Sequence, residues 1–251
     1  MRKISRREKR RIERLRRIGF MLVAISVIVI IFFLFNTSFF KLDVIGIAGN
    51  DRVSNDEIIA SSGLRYGENI LKANLDTASK NIEQLPYIKN VEITRTSRNK
   101  VTITVEEREE DFAYYSAGKI FICDYEGRIL NIVQMTDVTP IIRGYELDGV
   151  EIGSNIFDKE ELKGLKDILD TARELDELKK YTEIKLQSAS EYGLVREGGT
   201  SIDFGSATDI KYKFVFIKNI VEKMAEDGMK PQIIKLNSDA DPVVVPMKVE
   251  E

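Results

Sequence analysis

No histidine occurs anywhere in the 251 residues. That excludes Ser-His-Asp and Cys-His catalysis and nearly all zinc-hydrolase centres, each of which uses an imidazole as base or ligand. Cysteine is reduced to Cys123, so no disulfide can form within the chain. It lies in the apolar run Lys119-Ile120-Phe121-Ile122-Cys123, where a thiol packs as a small hydrophobe and stays inert. A phosphate loop and a catalytic serine motif are also missing, and no carboxylate pair suited to acid-base work can be located. Past the first 40 residues there is no Pro/Gly/Ser-rich linker, long repeat or low-complexity tract, which points to folded domains. The reading is of a protein that is not an enzyme and needs no cofactor or metal.

What is present begins with an asymmetry of charge. Residues 1–17 hold ten Lys/Arg against Glu8 and Glu13, about +8 within a formal net charge of −3, so the remainder carries about −11. Residues 18–35 then run without a charge, with only Gly19 and Ser26 among large apolar side chains. As a helix this stretch is about 27 Å long, enough to cross a bilayer core. It is longer than the apolar region of a signal peptide and runs into Asn36-Thr37-Ser38-Phe39-Phe40 rather than a small-x-small cleavage site. Basic residues beside a span stay cytoplasmic, which predicts a single-pass type II protein with its C-terminal domains outside and Phe39 and Phe40 near the outer interface. The basic tail serves topology and acidic lipid contact, not nucleic acid.

Residues 40–107 read as strand, helix, helix, strand, strand. Phe40, Leu42 and Val44 suggest the first strand, and Gly49-Asn50-Asp51 a turn. Ser54-x-x-Glu57 has capping-box spacing before Ile58 and Ile59, with Gly63 as the stop. Leu75, Ala78, Ile82 and Leu85 place one apolar stripe on a second helix, capped by Asp76 and ended by Pro86. Val91 and Ile93, then Val101, Ile103 and Val105, alternate with polar residues as strands with one buried face, turning at residues 96–99. Two helices on one face of a three-stranded sheet make a small domain.

The acidic run Glu106-Glu107-Arg108-Glu109-Glu110-Asp111 reads as a solvated junction between domains rather than a calcium site. Beyond it come strand candidates at residues 112–115, 119–123, 129–133 and 140–143. A long helix carries Leu162, Leu165, Leu169, Ala172 and Leu175, and strands follow at 183–189, 193–197 and 200–204, the last two joined by Gly198-Gly199. A second long helix carries Ile210, Phe214, Ile217, Val221 and Met224, ending at Gly228 with Pro231 beyond. Strands at 232–236 and Val243-Val244-Val245 close the pattern. The fold class is α+β.

The order of parts resembles a known family. A basic tail, one helix, Phe40-Lys-Leu-Asp-Val-Ile-Gly-Ile-Ala-Gly-Asn50, Ser54-Asn-Asp-Glu-Ile58, Leu85-Pro86-Tyr-Ile88, Val91-Glu-Ile-Thr-Arg95 and Val101-Thr-Ile-Thr-Val-Glu-Glu-Arg108 together look like the bacterial cell-division protein family FtsQ, called DivIB in Gram-positive bacteria. The resemblance implies a cytoplasmic tail at 1–17, a transmembrane helix at 18–38, a POTRA domain at 39–107, a mixed-sheet β domain with two long helices at 108–246, and a short tail at 247–251. One departure is that Ser97-Arg98-Asn99 stands where the family usually has proline in the turn between the last two POTRA strands. The resemblance implies a divisome scaffold at the division septum, holding FtsB/DivIC-like and FtsL-like bitopic proteins. An open edge on a final strand would suit that task, and its expected residues are Lys235, Leu236, Asn237, Ser238, Val243, Val244 and Val245. The alternative is a POTRA-containing envelope export or assembly factor, which would show several such units and a β-barrel pattern.

Overall fold

The computed structural model describes residues 6–36, 38–188, 190–236 and 242–248, and the chain divides between Glu107 and Arg108 into two units. The first opens with α1 (Arg6–Asn36). It starts about three turns ahead of the apolar run, because Arg, Lys and Glu are good helix formers and no Gly or Pro separates the basic stretch from residue 18. Its Arg14–Phe33 portion is exposed, and long and apolar enough to cross a membrane.

Then follow β1 (Val44–Ala48), α2 (Asn55–Ser62), α3 (Leu75–Ile82), β2 (Ile88–Ser97) and β3 (Lys100–Glu107). The sheet order is β1-β3-β2, with β1 parallel and β2 antiparallel to β3. The two helices lay Ile58, Ala78 and Ile82 on Val91, Val101, Ile103 and Val105, so the period-2 face and the helical stripes meet in one core. Two details differ from the sequence reading. Ser38–Phe40 is a 3-10 turn and the strand begins only at Val44, although Leu42 is buried. The cap of α3 is Asn74, whose side chain accepts the Thr77 N–H, and Asp76 sits inside the first turn. Asn and Asp cap equally well, so position decided.

The second unit holds β4 (Phe112–Ser116), β5 (Lys119–Cys123), β6 (Ile129–Val133), β7 (Ile141–Arg143), α4 (Lys163–Glu174), β8 (Tyr181–Ser188), β9 (Glu191–Arg196), β10 (Ser201–Gly205), α5 (Ile210–Glu226), β11 (Met229–Lys235) and β12 (Val243–Lys248). Among the described residues these strands form one nine-stranded sheet, in the order β12-β11-β10-β9-β8-β7-β4-β5-β6. The pairs β7/β8 and β10/β11 are parallel, each bridged by a helix, because parallel neighbours need a long crossover. Both crossovers supply the same core: Leu165, Ile168 and Leu169 of α4 with Phe214 and Ile217 of α5 cover Phe112, Ile184, Leu194, Ile202, Phe204 and Ile234. The architecture is mixed α+β, as expected. Pro231 lies beyond α5 as expected, but the strand expected to start at residue 232 starts already at Met229, so β11 carries Pro231 at a register shift opposite Pro246.

Candidate functional site

The two ends of the nine-stranded sheet are finished differently. At β6 the outer edge is occupied: the Ile129 N–H donates to the Ser154 carbonyl, the Gly153 N–H donates back to the Ile129 carbonyl, and the Ile132 N–H is taken by the side chain of Asn131, each at 2.8 Å. These contacts blunt the strand, one of the ways sheets protect an edge.

At the other end, β12 pairs with β11 through Lys235↔Val243, Ile234↔Val244, Ile233↔Val245, Pro231↔Pro246 and Lys230↔Met247. Among the described residues no strand lies beyond it. Neither proline has an N–H, so Pro231 and Pro246 cannot form a hydrogen-bonded pair. Alternation along β12 then turns the backbone groups of Val245 and Val243 inward to β11, and those of Val244 and the Pro246 carbonyl outward. A proline on an edge with its missing donor facing out is the tolerated placement. The side chains alternate too. Val244 packs against the core, while Val243, Val245 and Met247 are exposed on the sheet face turned away from α4 and α5.

The expected site residues fall in three groups. Val243, Val244 and Val245 are on the outer strand. Lys235 ends β11, an interior strand, and Leu236 is buried with its N–H donating to the Asp203 carbonyl at 2.8 Å. Neither offers a free edge, because β10 and β12 flank them. Asn237 and Ser238 lie outside the described residues. Pro246, Met247 and Lys248, which complete the strand, lie outside the expected set; only the Pro231-Pro246 pairing reveals which backbone groups point out.

The acidic run at 106–111 is divided between tasks. The Glu107 carboxylate accepts the N–H groups of Arg52 and Val53, both at 2.9 Å. Arg108 pairs with Asp124 and Glu126, and Asp111 accepts the Tyr125 N–H at 2.9 Å. Among the described residues no three metal-ligating side chains converge. Cys123 is wholly buried, and burial pushes its thiol up, away from thiolate chemistry.

Comparison with known proteins gives these features a lineage. Residues 40–108 match the family model described as POTRA domain, FtsQ-type. A "Cell division protein DivIB" of Clostridium acetobutylicum is 37% identical over 114 residues, 45% of either chain, so that match spans less than half of the relative. "Cell division protein FtsQ" of Myxococcus fulvus is 24% identical over 214 residues, 84% of this chain and 74% of that one. "Cell division protein DivIB" of Clostridium botulinum strain Hall is 26% identical over 209 residues, 82% and 81%. The chain is a relative of the FtsQ and DivIB cell division proteins, and its residues 40–108 form a POTRA domain of the FtsQ type.

Proposed function

We propose that this protein is a non-enzymatic scaffold of bacterial cell division, anchored by α1 with its basic end in the cytoplasm and both folded units outside. It holds the extracytoplasmic parts of FtsB/DivIC-like and FtsL-like bitopic proteins at the septum. The relatives' names support the process, and the charge step across α1 supports the topology. One observation carries the binding mode: among the described residues, the outer edge of β6 is taken by Gly153, Ser154 and Asn131, while the outer edge of β12 is interrupted only at Pro246. A partner strand laid along β12 would take its affinity from main-chain hydrogen bonds at Val244 and its specificity from contacts beside Val243, Val245 and Met247.

The test is a pair of proline substitutions. Val244→Pro removes an outward donor and leaves the bonds to β11 intact, so the domain stays folded and capture of the DivIC-like extracellular segment falls at least about tenfold, the effect of losing roughly 1.4 kcal/mol. Val245→Pro removes an inward donor and destabilises the domain itself. Undiminished capture by a folded Val244→Pro chain defeats the edge mode.

A further inference from the structure

We infer that the anchor-side end of the POTRA domain is a lipid-docking surface, seated on anionic headgroups of the membrane that α1 crosses. The inference rests on the reading of α1 as a membrane anchor. Its starting point is chain reach. Helix α1 ends at Asn36 and Phe40 is four residues on, so Phe40 lies within about 14 Å of the end of the anchor however the link is arranged. The interfacial zone of a bilayer is about 5–8 Å deep on each side, which sets residues 39–42 in or just above it.

A second segment is fastened to this one. The Leu42 N–H donates to the Glu68 carbonyl, the Gly67 N–H to the Leu42 carbonyl and the Ile70 N–H to the Phe40 carbonyl, each at 2.8 Å. Arg95 clasps the same loop from β2, donating to the carbonyls of Ile70 and Ala73 at 3.0 and 2.9 Å. The β2–β3 turn joins from the other side, with the Asp43 N–H donating to the Asn99 carbonyl at 2.9 Å and the Arg98 guanidinium 4.3 Å from the ring centre of Phe39. Residues 65–73 and 95–100 are thereby held at the level of residues 39–44.

What this end displays differs from the rest of the domain in two independent ways. Within residues 39–107 the large apolar side chains that remain exposed are Phe39, Val44, Tyr66 and Leu71, and each belongs to these segments; Phe39 and Tyr66 are 56% and 58% exposed. Single exposed apolar residues are ordinary, but here all four share one end. The charges sort the same way. Segments 39–44, 65–73 and 95–100 carry six Lys/Arg and two carboxylates, while the rest of residues 38–107 carries three Lys/Arg and eight carboxylates. Aromatic and aliphatic tips ringed by cations, on a chain whose exported part is acidic overall, suit the headgroup layer, where amphipathic rings settle and Lys and Arg meet phosphate. With this end seated on lipid, the POTRA domain is held at a set orientation instead of swinging on its tether.

The test uses the full chain in vesicles containing phosphatidylglycerol. Nitroxides are placed at Tyr66→Cys and Leu71→Cys, with a control at Asp51→Cys, an exposed position past the other end of β1; the parent chain, with Cys123 buried, takes up no label. Docked labels at 66 and 71 collide with a water-soluble nickel chelate at least about threefold less often than the label at 51, and an Arg65→Glu/Lys72→Glu chain loses that protection. Labels at 66 and 71 as accessible as the one at 51, on a chain that alkali does not extract from the vesicles, overturn the inference alone. A chain released by alkali removes the anchor reading and this inference together.

Discussion

Glu177 is 1% exposed and holds two cations, Lys180 Nζ at 2.6 Å and Arg196 Nη1 at 2.8 Å. Arg196 is itself mostly buried against the Tyr181 ring. Removing one partner of a buried ion pair leaves an uncompensated charge, so Glu177→Ala is expected to cost about 3–5 kcal/mol, read as a drop in the urea midpoint of the second unit. Gly49 shows a different constraint: its φ is +86°, and a Cβ there would stand 2.1 Å from the Val105 carbonyl oxygen. Gly49→Ala should therefore destabilise the POTRA domain by about 2 kcal/mol or more in thermal melts. Asp111 gives a pH-dependent case. Burial raises its carboxyl above the ordinary 3.8, partly offset by the Tyr125 N–H. The folded state then holds the proton more tightly than the unfolded one, so this group's effect on stability becomes less favourable as pH climbs from below 3.8 through its raised value. Asp111→Asn, which keeps an acceptor for Tyr125, should be the more stable relative to wild type the further pH rises across that window, and no change in their difference would refute the sign.

At the scale of elements, most spans followed from local pattern. Of the capping box at Ser54 the N-cap half is realised, with the Glu57 N–H on Ser54 Oγ at 3.3 Å, and Gly63 ends the helix at φ +70°. Ser54→Ala is expected to cost about 1 kcal/mol and to lower the POTRA melting temperature by several degrees. The expected strand spans 119–123 and 129–133 match β5 and β6. Boundaries slipped where two signals competed. Pro231 follows the Gly228 stop and so reads as a helix terminator, but a proline is also tolerated at a strand irregularity, which is where the fold uses it. Leu236 reads in the sequence as part of the final strand's open edge; its buried place and its bond to Asp203 come from β10, 33 residues earlier in the chain.

For the whole molecule, the charge step at α1 and the two units lead to a topology that can be read directly. In right-side-out vesicles, added protease should degrade the units after residue 39 and spare the basic tail, while alkaline extraction leaves the anchor in the membrane fraction. A fluorescent fusion to the N-terminus should form a midcell band in dividing cells; a uniform envelope signal would sink the scaffold reading.

The sequence by itself determined much of what depends on neighbours along the chain: the apolar span, the charge asymmetry, the N-cap of α2 and the period of most strands, since these are set within a few residues by hydrophobicity and hydrogen-bond geometry. It also excluded histidine chemistry outright. Only the tertiary structure decided that nine strands join one sheet, that among the described residues no strand lies beyond β12 while the edge of β6 is taken by Ser154 and Asn131, and that residues 65–73 and 95–100 gather beside residues 39–44. Those are pairings between segments distant in sequence, and strand order is fixed by which faces bury together, a choice that local pattern leaves open.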